Sequence, residues 1–219
     1  MENAMYKTVL FDLDGTLTDP GIGITNSVMY ALGKFGISVA DRSELYRFIG
    51  PPLIDSFTDY YGFDHEKSEL AVKYYREYFT DIGIFENKIY DGVADMLTQL
   101  KSSGIRILLA TSKPDVYAVR ILEHFGIAQY FDHVAAATLD GKINHKDEVI
   151  RLALTLVEPE NKADVLMVGD RKYDITGANK LGIDSVGVLY GYGNEKELTD
   201  AGATYIAADI PALIKAILN

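Results

Sequence analysis

The sequence predicts an α/β protein: a doubly wound parallel sheet, Rossmann-like in its connections, with an all-helical segment inserted after the first strand. Three observations predict it. Short runs rich in β-branched residues or leucine recur along the chain, each followed by a stretch with apolar residues three and four apart, the pattern of strands joined by amphipathic helices. One span, residues 20–89, interrupts this alternation with helical patterns only. The conspicuous aspartates and a Thr-Ser pair fall just after strand candidates, where ligands bind in open parallel sheets.

Taken in order, residues 8–11 (Thr-Val-Leu-Phe) are too short and too uniformly apolar for a surface helix and read as a strand buried on both faces. Further strands are expected at 105–110, 133–136, 165–168 and 185–189, with helices at 93–100, 116–125, 149–157 and 175–181. In the interrupting span, turn signals stand at Gly36, Gly50-Pro51-Pro52, Gly62 and Gly83, and no strand candidate survives a period-two count. This span holds 13 of the chain's 24 aromatics (15 Tyr and 9 Phe), which are expected to fill a small helical bundle. The domain expectation is therefore an α/β core of residues 1–19 and 90–219 around a helical insertion of 20–89.

Composition narrows the function. The 219 residues carry 21 Lys+Arg against 32 Asp+Glu, a net charge of −11, with 48% hydrophobic and 24% charged residues. That is a folded globule with no basic face, so a nucleic acid polymer is not an expected partner. The absence of cysteine excludes disulfides, thiolate metal sites and a cysteine nucleophile, so any metal must be held by oxygen or imidazole. No window approaches eighteen apolar residues and residues 1–7 lack a signal-peptide pattern, giving the expectation of a soluble, cytoplasmic protein without a membrane partner. Residues 1–4 are expected to be a disordered start.

The strongest motif is Asp12-Leu13-Asp14-Gly15-Thr16, closing the first strand. Carboxylates at i and i+2 leave a strand on the same side, and such close like charges are tolerable if a divalent cation neutralises them or if one is held protonated as an acid catalyst requires. A calcium loop does not fit, because its glycine belongs sixth and its glutamate twelfth, whereas Gly15 is fourth and Gly23 twelfth. Gly21-Ile22-Gly23 and Gly191-Tyr192-Gly193 fail as dinucleotide fingerprints for want of a third glycine. Thr111-Ser112, after the strand at 105–110 and before a helix started by Pro114, can cradle phosphate or simply cap that helix. Asp170, after the strand at 165–168, and Asp174, one helical turn on, can aim at one point or serve as an N-cap and first-turn acid. Lys146 opens a helix, where it opposes the dipole unless it faces anions. His65, His124, His133 and His145 share no ligand spacing and read as surface or capping residues.

In this order Asp12-x-Asp14-Gly15-Thr16, Thr111, Lys146 and Gly169-Asp170-x-x-x-Asp174 resemble the haloacid dehalogenase superfamily of phosphohydrolases, over nearly the whole chain and most closely in its phosphoglycolate phosphatase-like branch. The resemblance implies a phosphatase acting on a small phosphorylated metabolite, phosphoglycolate or a nucleoside monophosphate, with a helical cap at 20–89. It implies that Asp12 is the nucleophile that forms an aspartyl-phosphate and Asp14 the acid and base. Thr111, with Ser112 beside it, and Lys146 would hold the phosphoryl oxygens. Mg2+ would be ligated by Asp12, the Asp14 carbonyl, Asp170 and, directly or through water, Asp174. Relatives that cleave carbon–halogen or phosphonate bonds lack the second aspartate, so Asp14 disfavours both. A phosphomutase retains all four motifs and would differ only in the cap. Arg47 and the Gly50-Pro51-Pro52 turn resemble the segment by which related caps set specificity, with Arg47 able to pair with a second substrate anion. The contrasting class is a non-catalytic phospho-acceptor module, which needs neither Asp14 nor a helical insertion.

Overall fold

The computed structural model describes residues 6–219, so the expectation for residues 1–4 lies outside the described residues. Along the chain its elements are β1 (Thr8–Phe11), β2 (Thr18–Asp19), α1 (Gly21–Gly33), α2 (Leu53–Tyr61), α3 (His65–Phe79), β3 (Lys88–Ile89), α4 (Val93–Ser102), β4 (Arg106–Pro114), α5 (Asp115–His124), β5 (His133–Ala137), α6 (Lys146–Val157), β6 (Val165–Gly169), α7 (Lys172–Leu181), β7 (Asp184–Val188), α8 (Glu195–Asp200), β8 (Tyr205–Ala207) and α9 (Ile210–Leu218). Two compact units result, Met1–Thr18 with Ile89–Asn219, and Asp19–Lys88.

In the first unit six parallel strands form one sheet in the order β5-β4-β1-β6-β7-β8. β1 has a partner on each side, which explains its unbroken apolar sequence: Leu10, Leu108, Ala110 and Met167 pack against Val149, Ile150 and Ala153 of α6 and Ala178 and Leu181 of α7. The alternate residues Val9, Phe11, Ile107, Leu109, Leu166 and Val168 are as fully buried and, by the period of two, belong to the opposite face. The winding departs from β1 in both directions, so the switch point lies at the carboxyl ends of β1, β4 and β6.

Three local expectations are corrected. β4 runs on to Pro114, with a register irregularity against β5 between Thr111 and Pro114. The following helix therefore begins at Asp115 with Pro114 as its N-cap, and neither Thr111 nor Ser112 caps it. Residues 20–89 are not purely helical, since β3 pairs with β2 in a two-stranded sheet where the chain passes between the units. Two residues are too few to register as a period. β8 and α9 have no sequence expectation: β8 is three residues long, and α9 (Ile-Pro-Ala-Leu-Ile-Lys-Ala-Ile-Leu) is nine residues with a proline at its second position, burying only Leu213 and Ile217. All four histidines are exposed.

In the second unit α3 packs on α1 and α2. Its buried residues Ser68, Ala71, Val72, Tyr75 and Phe79 follow the helical period, and Asp64 caps it by accepting the Lys67 N–H at 2.9 Å. The aromatics largely fill this unit's core as expected: Phe48 meets Phe57 edge to face at 5.1 Å and Phe35 meets Phe63 at 5.0 Å, while Tyr30, Tyr46 and Phe85 stay exposed.

One polar contact fixes where β5 joins β4. The Asp132 carboxylate accepts the Ile107 N–H at 2.8 Å and both Lys101 bonds, and the Asp132 N–H donates to the Ile107 carbonyl at 2.8 Å. Burial pushes the Asp132 carboxyl up, but Lys101 and the Ile107 N–H outweigh it and hold the group below its ordinary range. Asp132→Ala, which strips the Ile107 N–H of its acceptor, is expected to cost about 1–2 kcal/mol at pH 7 in urea unfolding. Because the native value is depressed, this contribution is complete above the unfolded carboxylate value near 3.9 and disappears as pH falls through the native one, so wild type and variant converge in strong acid.

Candidate active site

The site forms where β1, β4 and β6 end. Asp12 still belongs to the ladder, its N–H donating to the Val168 carbonyl at 2.9 Å, and this holds its carboxylate at the sheet's edge. The chain then reverses through Gly15, whose φ of 85° and contact with the Asp170 carboxylate admit no side chain. Asp14 follows Asp12 by two residues, and both are buried.

Lys146 opens α6 and points its ammonium into this cluster. Its Nζ lies 2.7 Å from Asp12 Oδ1 and 2.9 Å from Asp174 Oδ1, and it donates to the Ala110 carbonyl of β4 at 3.0 Å. The lysine that was oddly placed for the dipole therefore faces anions. Asp174 Oδ2 accepts the Arg171 N–H at 3.1 Å at the start of α7, and Arg171, not Asp170, is that helix's N-cap. Glu197 of α8 secures this corner by accepting Arg171 Nε and the Lys172 N–H, each at 2.9 Å.

Asp170 is wholly buried, accepting the Tyr192 N–H at Oδ2 (2.7 Å) and the Thr16 hydroxyl at Oδ1 (3.5 Å). Gly191, in the segment after β7, lies so close to Asp170 and the Gly15 carbonyl that a Cβ would collide with both. Thr111 is buried at the end of β4 with its Oγ1 accepting the Lys113 N–H at 3.2 Å, while Ser112 between them is half-buried. Arg47 belongs to the other unit, exposed, with its guanidinium 4.4 Å over the Tyr60 ring.

Two features went unseen in the sequence. Lys113 places its Nζ 2.7 Å from Asp14 Oδ2, with both side chains largely buried. Its only signal was a lysine two residues after Thr111, on a stretch that reads as a helix start. The Gly191-Tyr192-Gly193 segment, which fails as a dinucleotide loop, is a clasp on Asp170, and a glycine pair three residues after the end of β7 is the available sign of close backbone approach.

The electrostatics follow from burial. Four carboxylates, Asp12, Asp14, Asp170 and Asp174, face two ammonium groups, Lys113 and Lys146, leaving 2 − 4 = −2 when all are ionised. Burial pushes the Asp14 carboxyl up by more than Lys113 beside it pulls it down. Burial, reinforced by Asp174 and Asp12, holds Asp170 well above the usual carboxylate range, and burial pushes Asp174 up to about 6 in spite of Lys146. Burial would lower the Lys146 ammonium, but Asp12 and Asp174 outweigh it and raise it. Asp12, Asp170 and Asp174 each offer an oxygen, all within 4.8 Å of one another. An all-oxygen donor set with two charges to spare suits a hard divalent cation such as Mg2+.

Residues 9–188 match the family model described as haloacid dehalogenase-like hydrolase. A relative named 5'-nucleotidase from Pseudomonas aeruginosa is 44% identical, the alignment covering 95% of this chain and 94% of the relative. Tyrosine-protein kinase PtkA of Mycobacterium tuberculosis is 37% identical, with 96% of this chain and 72% of the relative covered. A crystal structure described as a predicted phosphatase from Clostridium acetobutylicum superposes with a TM-score of 0.95 at 50% identity, covering 97% of this chain and 98% of that one.

Removing the Lys146 charge leaves Asp12 and Asp174 buried without their common cation. Lys146→Met is expected to destabilise the metal-free protein by about 3–5 kcal/mol, read as a lower urea midpoint at pH 8.

Proposed function

The chain belongs to the haloacid dehalogenase-like hydrolase family and is a phosphatase of it; on that premise we propose that it hydrolyses a small phosphate monoester, with Mg2+, through an aspartyl-phosphate on Asp12. The observation that carries the proposal is the convergence on Asp12 of one buried lysine, Lys146, and two further buried carboxylates, Asp170 and Asp174, at the end of the central strand.

In the proposed mechanism an Asp12 carboxylate oxygen attacks phosphorus, and the bond to the ester oxygen breaks as the Asp14 carboxyl gives that oxygen its proton. Water then attacks the phosphorus of the acyl phosphate, Asp14 takes the water's proton, and phosphate leaves with the Asp12 carboxylate restored. The raised pKa that burial gives Asp14 supports a group that carries a proton for the first step and accepts one in the second. Thr111, Ser112 and Lys146 are assigned to the phosphoryl oxygens. Asp12, the Asp14 carbonyl, Asp170 and Asp174 would hold Mg2+, which when bound offsets the charge of the transferring group.

The helical unit Asp19–Lys88 is proposed as the cap that sets substrate choice, with Arg47 its candidate anion ligand. Phosphoglycolate and nucleoside monophosphates are the proposed substrate classes; the second is supported by the 44%-identical relative's name, 5'-nucleotidase.

With p-nitrophenyl phosphate, Mg2+-dependent phosphate release is expected from the wild type and none above background from Asp12→Asn. Release without metal, or undiminished release from Asp12→Asn, overturns the mechanism. Asp14→Asn is expected to lower kcat on alkyl esters by about 10²–10⁴-fold. A panel of phosphorylated metabolites then ranks the two substrate classes by kcat/KM.

Independently of turnover, Mg2+ at a hundred times its Kd is expected to stabilise the wild type by about 2.7 kcal/mol in thermal unfolding, and to give Asp170→Asn much less. Equal stabilisation of both would remove Asp170 from the metal site.

A further inference from the structure

We infer that Lys113 is the positioning residue for Asp14, gripping one carboxylate oxygen so that the other is the atom that exchanges protons with the leaving group and with water. The inference rests on the phosphatase reading and extends it to a residue outside its four motifs.

The two lysines of the site divide three of its four carboxylates between them. Lys146 Nζ contacts Asp12 Oδ1 and Asp174 Oδ1, whereas Lys113 Nζ contacts Asp14 Oδ2 at 2.7 Å. The Lys113 side chain is 5% exposed and that of Asp14 12%, so this ion pair is shielded from solvent. The opposite oxygen, Asp14 Oδ1, is buried with no hydrogen-bond partner among the described residues. A buried acceptor left unmatched is costly, and a carboxylate rotates freely about its last bond unless something holds its plane. Here the ammonium holds Oδ2, and the unmatched Oδ1 is the oxygen left for chemistry. Lys113 is itself fixed from its own strand, where its N–H donates to Thr111 Oγ1 at 3.2 Å.

The step balances. Asp14 Oδ1–H gives its proton to the ester oxygen, which keeps the electron pair of the breaking P–O bond; in the second half Oδ1 takes a proton from the attacking water. A phenolate leaving group departs without that proton and an alkoxide does not, so an Asp14 that is free to turn penalises alkyl esters selectively.

The test measures kcat and KM for wild type, Lys113→Met and Lys113→Arg, with Mg2+, on p-nitrophenyl phosphate and on the best alkyl phosphate of the panel. Lys113→Met is expected to lose about 10–100-fold more kcat on the alkyl ester than on the aryl ester, with KM little changed on both. Lys113→Arg, which retains a cation, is expected to restore the alkyl-to-aryl ratio to within about threefold of wild type. Equal losses on the two esters, or a loss confined to KM, overturn the inference and leave the phosphatase reading standing. No Mg2+-dependent release by the wild type from either ester overturns both. If Lys113→Met does not fold by circular dichroism, Lys113→Gln, equally uncharged, is read on the same ratio.

Discussion

The ammonium of Lys146 is the contact on which the rest of the site depends. It is held in three directions, by Asp12 after β1, by Asp174 in α7 and by the Ala110 carbonyl of β4, so one nitrogen ties three neighbouring elements at the carboxyl edge of the sheet. Asp12 and Asp174, this deeply buried, are tolerable because that charge stands between them. The same contact explains α6. Its apolar residues Val149, Ile150, Ala153 and Val157 fasten it to the sheet face, and this aims its first residue at the strand ends. A lysine there opposes the helix dipole, a cost that the two carboxylates offset.

Much of this was legible in sequence because it is local. The apolar runs of β1 and β6, the helical periods of α6 and α7, and the paired aspartates after β1 are patterns within a few residues of one another, and each maps to one element. The order of the four motifs placed Asp12, Asp170, Asp174 and Lys146 at common strand ends because parallel α/β winding delivers successive loops to the same edge.

What could not be read is tertiary. Nothing near Lys113 indicates that its partner is Asp14, in the turn after a neighbouring strand and far away in sequence, and the stretch around it resembles a helix start because Pro114 follows. The true boundary shifted because β4 continues past Thr111 through an irregularity that no period records. The contact of Gly191 and Tyr192 with Asp170 is illegible for a related reason: they bring backbone against it, and a backbone contact leaves no side-chain signature. In the helical unit the tally of aromatics indicated a core but could not say which rings fill it, since Tyr30 and Phe85 obey similar spacing to Phe57 and Phe79 yet remain exposed.

The central position of β1 also has a consequence for how the chain is made. β1 is translated before either of its lateral neighbours: β4 begins at Arg106 and β6 at Val165, with the whole helical unit between. At about 5–20 residues per second, roughly 8–30 seconds pass after Phe11 before β6 has been made. Until β4 has been made Val9, Leu10 and Phe11 have two unpaired edges, and until β6 has been made one, while the helical unit has contacts internal to residues 19–88 with which to condense. The strand that leads into Asp12 is therefore a segment of the nascent chain whose open edges a chaperone can shield.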